Sequence, residues 1–183
     1  MCPRTTLLHI AAAKGHTNVV SALLGPPYRD GRPNPDGLAH VNAQNEQGCT
    51  ALIAAVMASS SIPAEALEKL VSVLISAGAD VNALGSCGVS ALQIAAADGH
   101  VGVIQSLLGA GAAVNTAWVG GATALLLAAQ HGHLEVCESL ILAGADVMCS
   151  DNDGLTPLAA AAMSGHEAVA VELLRHAAEK TAS

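Results

Sequence analysis

A short pattern that recurs five times limits the possible folds of this chain more than any other feature. Each copy starts with Thr or Ser and has Leu two positions later, and four of the five copies end in Gly-His. The copies start at Thr6, Thr50, Ser90, Thr123 and Thr156. Such a repeat predicts a stack of similar units, each packed against its neighbours, instead of one central core.

The composition agrees with a stack of thin units. The chain is 52% hydrophobic, yet its 183 residues include no Phe, one Trp and one Tyr. Large globular cores usually depend on aromatic side chains for buried area. A core made of Ala, Leu, Val and Ile therefore favours closely packed short helices.

The spacing of the copies shows where the chain departs from a strict repeat. Successive copies start 44, 40, 33 and 33 residues apart, so the first two contain eleven and seven additional residues, which we expect in loops. Residues 26–40 are rich in Pro, Gly, Asn and Asp, a composition typical of a long loop. In the second copy, we predict that Ser61 caps a helix with Pro63 and Glu65 in its first turn. The long loop is either a partner contact or a solvated insertion, and its candidate contact residues are Tyr28, Arg29 and Arg32.

A single unit, counted from Ser90, predicts two short helices and a finger. The Ala-rich stretch 91–97 predicts the first helix, which Gly99 ends. Apolar residues within 101–108 fall on one face of a second helix. Gly111 closes that helix, and the following Ala-Val-Asn stretch indicates an extended hairpin.

The units resemble ankyrin repeats. The best copies are TPLAAAAMSGHEAV from Thr156, TALLLAAQHGHLEV from Thr123 and SALQIAAADGHVGV from Ser90, whereas TALIAAVMASS from Thr50 lacks the Gly-His turn. The resemblance implies an all-α solenoid of helix-turn-helix units joined by β-hairpin fingers. We predict one domain over residues 1–183, in which the repeats span about 1–25, 41–83, 84–116, 117–149 and 150–183, with an insertion loop at 26–40. The first and last repeats are not strongly polar, so the chain is either a short array or a fragment of a longer one.

The same resemblance implies where a partner would bind. In ankyrin proteins, the hairpin tips and the first helices usually line a concave groove that binds another protein. Trp118 stands at a finger position where the family usually has a small polar residue, and we expect its ring either to be exposed or to fold onto the neighbouring finger. Asp98, Asp151 and Asp153 suggest a basic or amphipathic partner segment. The predicted partner-binding residues are Glu46, Gln47, Met57, Ser86, Val89, Asp98, Trp118, Val119, Gln130, His131, Asn152, Asp153 and Met163.

Other function classes find little support in the sequence. The net charge of −8 opposes binding to nucleic acid or to an anionic membrane surface, and no apolar run is long enough to span a bilayer. No phosphate-binding loop, dinucleotide-binding motif or nucleophile motif is present, so we expect no catalytic residue and no cofactor.

The histidines and cysteines also have simpler explanations than catalysis. The Gly-His histidines and His9 are predicted to link repeats through backbone hydrogen bonds. His131, His133 and Cys137 are the nearest approach to a metal site, but they lack a fourth ligand, so we expect no metal. Cys137 is predicted to be buried and Cys49 to be an exposed thiol at a finger tip.

These observations predict a non-catalytic adaptor, scaffold or inhibitor. The alternative is a regulatory or targeting segment of a larger enzyme or channel. Five cysteines without regular spacing suggest free thiols and a cytoplasmic or nuclear location. Asn82 and Asn115 resemble hairpin asparagines that are hydroxylated in some ankyrin proteins, and the sequence leaves this modification open.

Overall fold

The computed structural model describes residues 6–25 and 40–181, and these residues form pairs of short helices. The pairing agrees with the predicted all-α class, and the helices predicted at 91–97 and 101–108 are confirmed within one residue. The predicted insertion loop at 26–40 lies, except for His40, outside the described residues. The helices are α1 (Leu7–Ala13), α2 (Thr17–Leu24), α3 (Ala51–Met57), α4 (Ala64–Ser76), α5 (Ala91–Asp98), α6 (Val101–Gly109), α7 (Ala124–His131), α8 (Leu134–Leu142), α9 (Pro157–Met163) and α10 (Glu167–Thr181).

The chain divides into two compact units, Met1–Ala91 and Leu92–Ser183. In the first unit, α1 packs on α3 and α2 packs on α4. In the second unit, α7 packs on α9, while α8 packs on both α6 and α10. First helices therefore stack on first helices, and second helices stack on second helices, within each unit. A single domain over 1–183 stays a prediction.

The Thr that opens the repeat pattern is a helix cap. The hydroxyl oxygens of Thr50, Thr123 and Thr156 accept hydrogen bonds from backbone N–H groups three residues later, at 3.4, 3.3 and 3.2 Å. The first turn of a helix has N–H groups without helical partners, and a hydroxyl at this position satisfies one of them. This bond explains why the pattern begins with a hydroxyl residue.

Removing one cap tests this explanation. We expect Thr123→Ala to lower the free energy of unfolding by about 1 kcal/mol, because the Leu126 N–H loses its acceptor. Thr123→Ser keeps the hydroxyl and should cost clearly less. Urea unfolding of the three proteins measures the difference, and equal losses in both variants would show that the methyl group, not the cap, matters.

The Gly-His turn joins neighbouring repeats by close packing. The backbone of Gly132 has a φ of 79°, a left-handed conformation that favours glycine. A Cβ atom built on Gly132 would lie 2.4 Å from the His166 ring, and one built on Gly99 would lie 2.6 Å from the His133 ring. Nε2 of His133 also lies 2.9 Å from the carbonyl oxygen of Ala97, which confirms the predicted backbone link for this histidine.

The second repeat keeps this packing with a different residue. Ile62 is buried, and its Cγ2 atom would lie 3.1 Å from a Cβ atom on Gly15, so Ile62 occupies the position that histidine holds elsewhere. The prediction that Ser61 caps the next helix was wrong. The residues Ser59–Ser61 form a 3-10 turn, and α4 begins at Ala64 with Pro63 as its capping residue. The turn of serines directly precedes the buried Ile62.

The predicted fingers are present as tight turns. The four turns span 45–49, 85–89, 118–122 and 151–155, and in each the N–H of the first residue donates to the carbonyl of the last at 2.9 to 3.0 Å. Among the described residues, a single isolated β-bridge is present, and it joins Leu84 to Ser90. Neighbouring fingers also bond to each other, as the N–H of Ser86 does to the carbonyl of Gln47 at 3.1 Å. The fingers are thus held both by bonds within each turn and by bonds to neighbouring fingers.

The core of each unit is aliphatic. Leu67, Leu70 and Leu74 of α4 are fully buried in the first unit, as are Leu107 and Leu140 in the second. Within residues 6–25 and 40–181, every buried side-chain nitrogen or oxygen has a hydrogen-bond partner. None of the described helices combines the length and the apolar character that crossing a membrane requires.

Candidate functional site

An open groove lies between α1, α3 and the finger 45–49 of the first unit, and we call it the α1–α3 groove. Its volume is about 310 Å³. Ile10 and Met57 line it, although 51% and 55% of their surfaces are exposed. Exposed large apolar side chains that share one concavity mark a surface suited to binding. The full lining is His9, Ile10, Ala13, Asn45, Gln47, Cys49, Ala54, Met57 and Ala58.

One wall of the α1–α3 groove is formed by His9, a buried histidine whose two ring nitrogens are both hydrogen-bonded. Nε2 of His9 lies 2.9 Å from the carbonyl oxygen of Cys49, while the N–H of Thr6 donates to Nδ1 at 3.3 Å. A carbonyl only accepts, so the proton is assigned to Nε2 and Nδ1 is the acceptor. His9 therefore links the first helix of one repeat to the finger of the next, as predicted, and holds the groove in shape.

The finger beside the groove is held by Asn45. Its Oδ1 atom accepts hydrogen bonds from the N–H groups of Gln47 and Cys49, at 2.9 and 3.0 Å. This turn leaves Glu46 and Gln47 exposed at the tip. The expectation of an exposed thiol at Cys49 was wrong, because the chain returns inward there and buries the side chain under Gly85.

The structure brings together two of the predicted binding residues in this unit and adds a third. Gln47 and Met57 line one groove. Ser86 lies on the next finger, where both its N–H and its hydroxyl donate to the Gln47 carbonyl, and Val89 closes the same finger. Ile10 was not predicted, although a helical count places it opposite the buried Leu8 and Ala12 and could have revealed it.

In the second unit, the predicted finger residues lie along one edge. Trp118 is 38% exposed, and Val119 beside it is far more exposed. The backbone N–H of Asn152 donates to the Gly120 carbonyl at 3.0 Å, and its side chain donates to the Val119 carbonyl at 3.3 Å. The finger that contains Trp118 and Val119 is therefore hydrogen-bonded to the finger that contains Asn152. Asp153 is exposed next to them.

The carboxylate of Asp151 has a structural role. One of its oxygens accepts hydrogen bonds from the N–H groups of Asp153 and Leu155, at 3.0 and 2.8 Å. Asp98 and Asp153 are exposed. Of the three aspartates that suggested a basic partner, Asp151 thus serves to close its own finger, and the basic partner stays a prediction.

The remaining predicted residues lie at the ends of first helices. Gln130 and His131 are exposed at the end of α7, and Met163 is exposed at the end of α9. Nδ1 of His131 bonds the Leu127 carbonyl at 2.9 Å, and its ring stacks on that of His133 with the centroids 6.2 Å apart. The His131 ring is thereby fixed to its own helix.

The possible metal ligands of this region do not converge. Cys137 is fully buried, as predicted, and this burial raises the pKa of its thiol to about 12. Such a thiol is protonated at neutral pH and is therefore a poor metal ligand or nucleophile. Across the described part of the chain, no group of three or more His, Cys, Asp or Glu side chains is placed to hold a metal ion.

An asparagine joins neighbouring repeats through both ends of its amide. The Asn115 nitrogen donates to the Gly144 carbonyl at 3.1 Å, and its oxygen accepts from the Asp146 N–H at 2.9 Å. Asn42 makes the same pair of bonds in the first unit. Hydroxylation of Asn82 or Asn115 stays a prediction.

Comparison with known families gives a single result. A family model described as ankyrin repeats matches in three copies, over residues 2–83, 62–151 and 92–183. No protein of curated function matches the chain in sequence. Ankyrin repeats are generally modules of protein–protein interaction, and the fold is typically non-catalytic. Because the three matches cover nearly all of its residues, the chain belongs to the ankyrin-repeat family.

Proposed function

We propose that this chain is a non-catalytic adaptor, scaffold or inhibitor that binds a partner protein by taking an apolar side chain into the α1–α3 groove. The observation that carries the proposal is the exposure of Ile10 and Met57 inside one concavity. Burying such side chains contributes about 25 cal/mol per Å² of apolar area removed from water. A partner side chain such as Leu, Met or Phe would provide that area.

The polar residues of the groove also support the binding of an apolar side chain. Its lining includes no Asp, Glu, Lys or Arg, while Asn45 and Gln47 contribute amides at one edge. A groove of this kind favours an apolar anchor beside a backbone or a neutral polar group, because a buried charge would have no opposite charge to pair with. The walls are held by the His9 and Asn45 hydrogen bonds, so little ordering is required on binding.

We further propose a cytoplasmic or nuclear location. Cys49, Cys137 and Cys149 are free thiols. Thiols persist in reducing compartments, whereas secreted proteins usually pair them.

Substituting the groove methionine tests the proposed function. We expect Met57→Glu to weaken partner binding by about tenfold or more, since a carboxylate would be desolvated in an apolar groove. Met148→Glu is the matched control, because Met148 is 56% exposed against 55% for Met57 and lies in the other unit. Affinity capture from the source cell with wild type and both variants, quantified by mass spectrometry, identifies the partners.

The captured proteins distinguish binding at the α1–α3 groove from binding at the surface around Met148. Proteins lost from Met57→Glu and kept by Met148→Glu support the α1–α3 groove, and calorimetry with the purified partner then measures the loss. Equal capture by wild type and Met57→Glu would contradict the proposal. Circular dichroism and urea unfolding of each variant check that the helices are intact.

A further inference from the structure

An aromatic and an aliphatic side chain are exposed next to each other at one finger of the second unit, Leu92–Ser183. Trp118 begins the finger 118–122 and is 38% exposed, and Val119 beside it is 72% exposed. Large apolar side chains that stay exposed together mark a surface suited to binding another molecule. The repeat that follows this finger is present, with its helices α9 and α10, so this exposure does not depend on where the sequence ends.

The neighbouring finger, 151–155, brings two carboxylates to the same place. The side chain of Asn152 donates a hydrogen bond to the Val119 carbonyl at 3.3 Å, so the two fingers are in contact. Asp151 and Asp153 flank Asn152. One oxygen of Asp151 accepts the bonds that close its own finger, which does not remove the negative charge, and Asp153 is exposed. We call this surface the finger edge, and its residues are Trp118, Val119, Asp151, Asn152 and Asp153.

The basic residues of the second unit are bound to carboxylates outside the finger edge. The unit contains nine Asp and Glu residues against two basic residues, Arg175 and Lys180. Arg175 is paired with Glu172 and Glu179, at 2.6 and 2.9 Å, and Lys180 is paired with Asp146 at 2.8 Å. The finger edge therefore keeps its negative charge.

We propose that the finger edge binds an arginine side chain of a partner protein. A guanidinium group stacks on the face of an aromatic ring, and the indole of Trp gives the strongest cation–π attraction. The same planar group donates paired hydrogen bonds to a carboxylate, which the exposed Asp153 provides. The aliphatic stem of the arginine would cover Val119. The three kinds of side chain at the finger edge thus correspond to three parts of one arginine.

Charge complementarity decides the class of the occupant. An acidic segment or a phosphate group would place like charges beside Asp151 and Asp153, and a purely apolar segment would desolvate these carboxylates without pairing them. A lysine would supply the charge, but its compact ammonium group neither stacks flat on a ring nor donates two parallel bonds. The finger edge lies in a different unit from the α1–α3 groove, so this inference does not rest on the proposed function.

The fluorescence of Trp118 reports on this surface directly, because the chain contains one Trp. We expect an oligo-arginine peptide to change the Trp118 emission in a saturable way at about 0.15 M salt, where the Debye length is about 8 Å and distant charges are screened. An oligo-lysine peptide of the same length should bind about threefold more weakly or less, and an oligo-glutamate peptide should not bind. N-acetyltryptophanamide titrated with the same peptides corrects for collisional quenching.

Variants separate the finger edge from the overall charge of the unit. We expect Asp153→Asn to weaken oligo-arginine binding about threefold. Trp118→Leu should weaken it by a similar factor, and calorimetry measures this variant because the fluorescent residue is lost. Glu138→Gln is the matched control, since it removes the same charge from an exposed position on α8 and should bind like wild type. Met57→Glu, which alters the α1–α3 groove, should also bind like wild type.

Several results would overturn this proposal. Oligo-arginine could leave the Trp118 emission unchanged, oligo-lysine could bind as tightly, or Trp118→Leu could bind like wild type. Equal losses in Asp153→Asn and Glu138→Gln would show that the overall charge of the unit, and not the finger edge, attracts the peptide. Circular dichroism and urea unfolding of each variant check that its fold is intact.

Discussion

Replacing Gly132 with alanine is expected to lower the free energy of unfolding by about 3 kcal/mol or more. Two costs combine at this position. The backbone has a φ of 79°, and an L-residue with a Cβ atom pays about 1 to 2 kcal/mol there. The new methyl group would also lie 2.4 Å from Nδ1 of His166, so the ring that joins the last two repeats must move. Overpacking of this kind costs about 1 to 3 kcal/mol.

Gly165→Ala separates the two costs. Gly165 has nearly the same φ, 78°, but open space where the Cβ atom would stand. We therefore expect this control to lose only the backbone cost, about 1 to 2 kcal/mol. Urea unfolding at low protein concentration measures both variants. If the two losses are equal, the contact with His166 contributes nothing, and if Gly132→Ala combined with His166→Ala recovers part of the loss, the ring is its source.

The second large effect is a loss of stability in alkali that depends on Cys137. Burial raises the pKa of this thiol from an ordinary value of 9.0 to about 12, with the nearby Glu138 carboxylate as a smaller cause. Between these two values the unfolded chain loses the proton and the folded chain keeps it, so the unfolded state binds fewer protons. The free energy of unfolding then falls as pH rises, by about 1.4 kcal/mol per pH unit. Below pH 9 the thiol makes no such difference.

The variant Cys137→Ala, which lacks this thiol, provides the reference for the measurement. Cys137→Ala removes only this thiol, so subtracting the free energy of unfolding of the variant from that of wild type isolates the contribution of the buried thiol. The advantage of wild type over the variant should shrink by about 2 kcal/mol between pH 9 and 10.5. Parallel curves over this range would show that the folded state does not hold the thiol protonated.

The helix pairs could be predicted because their signals are local. A hydroxyl residue such as Thr123 caps the helix that follows it, and Gly132 ends that helix in a left-handed conformation. Both signals act within one turn of the chain, so they are visible in a single repeat. The fingers were predictable for the same reason, since Asn45 and Asp151 close their own turns.

The candidate site was only partly predictable, because it depends on which repeats face each other. Gln47 and Met57 were expected to bind a partner, but their common groove with Ile10 requires the stacking of α1 on α3. Ile62 is a second feature that the sequence alone could not predict. Nothing within the second copy indicates that an isoleucine replaces the missing histidine, because the residue it packs against, Gly15, lies 47 positions earlier.

The sequence by itself determined the family, the repeat, the positions of the helices and the role of the Gly-His turn. These follow from backbone preferences and from the spacing of apolar residues, which a single chain contains in full. Only the tertiary structure decided which side chains are covered: Cys49 and Ile62 are buried, while Ile10 and Leu7 are not. Burial is a property of pairs of elements, and their residues meet only when distant parts of the chain pack together.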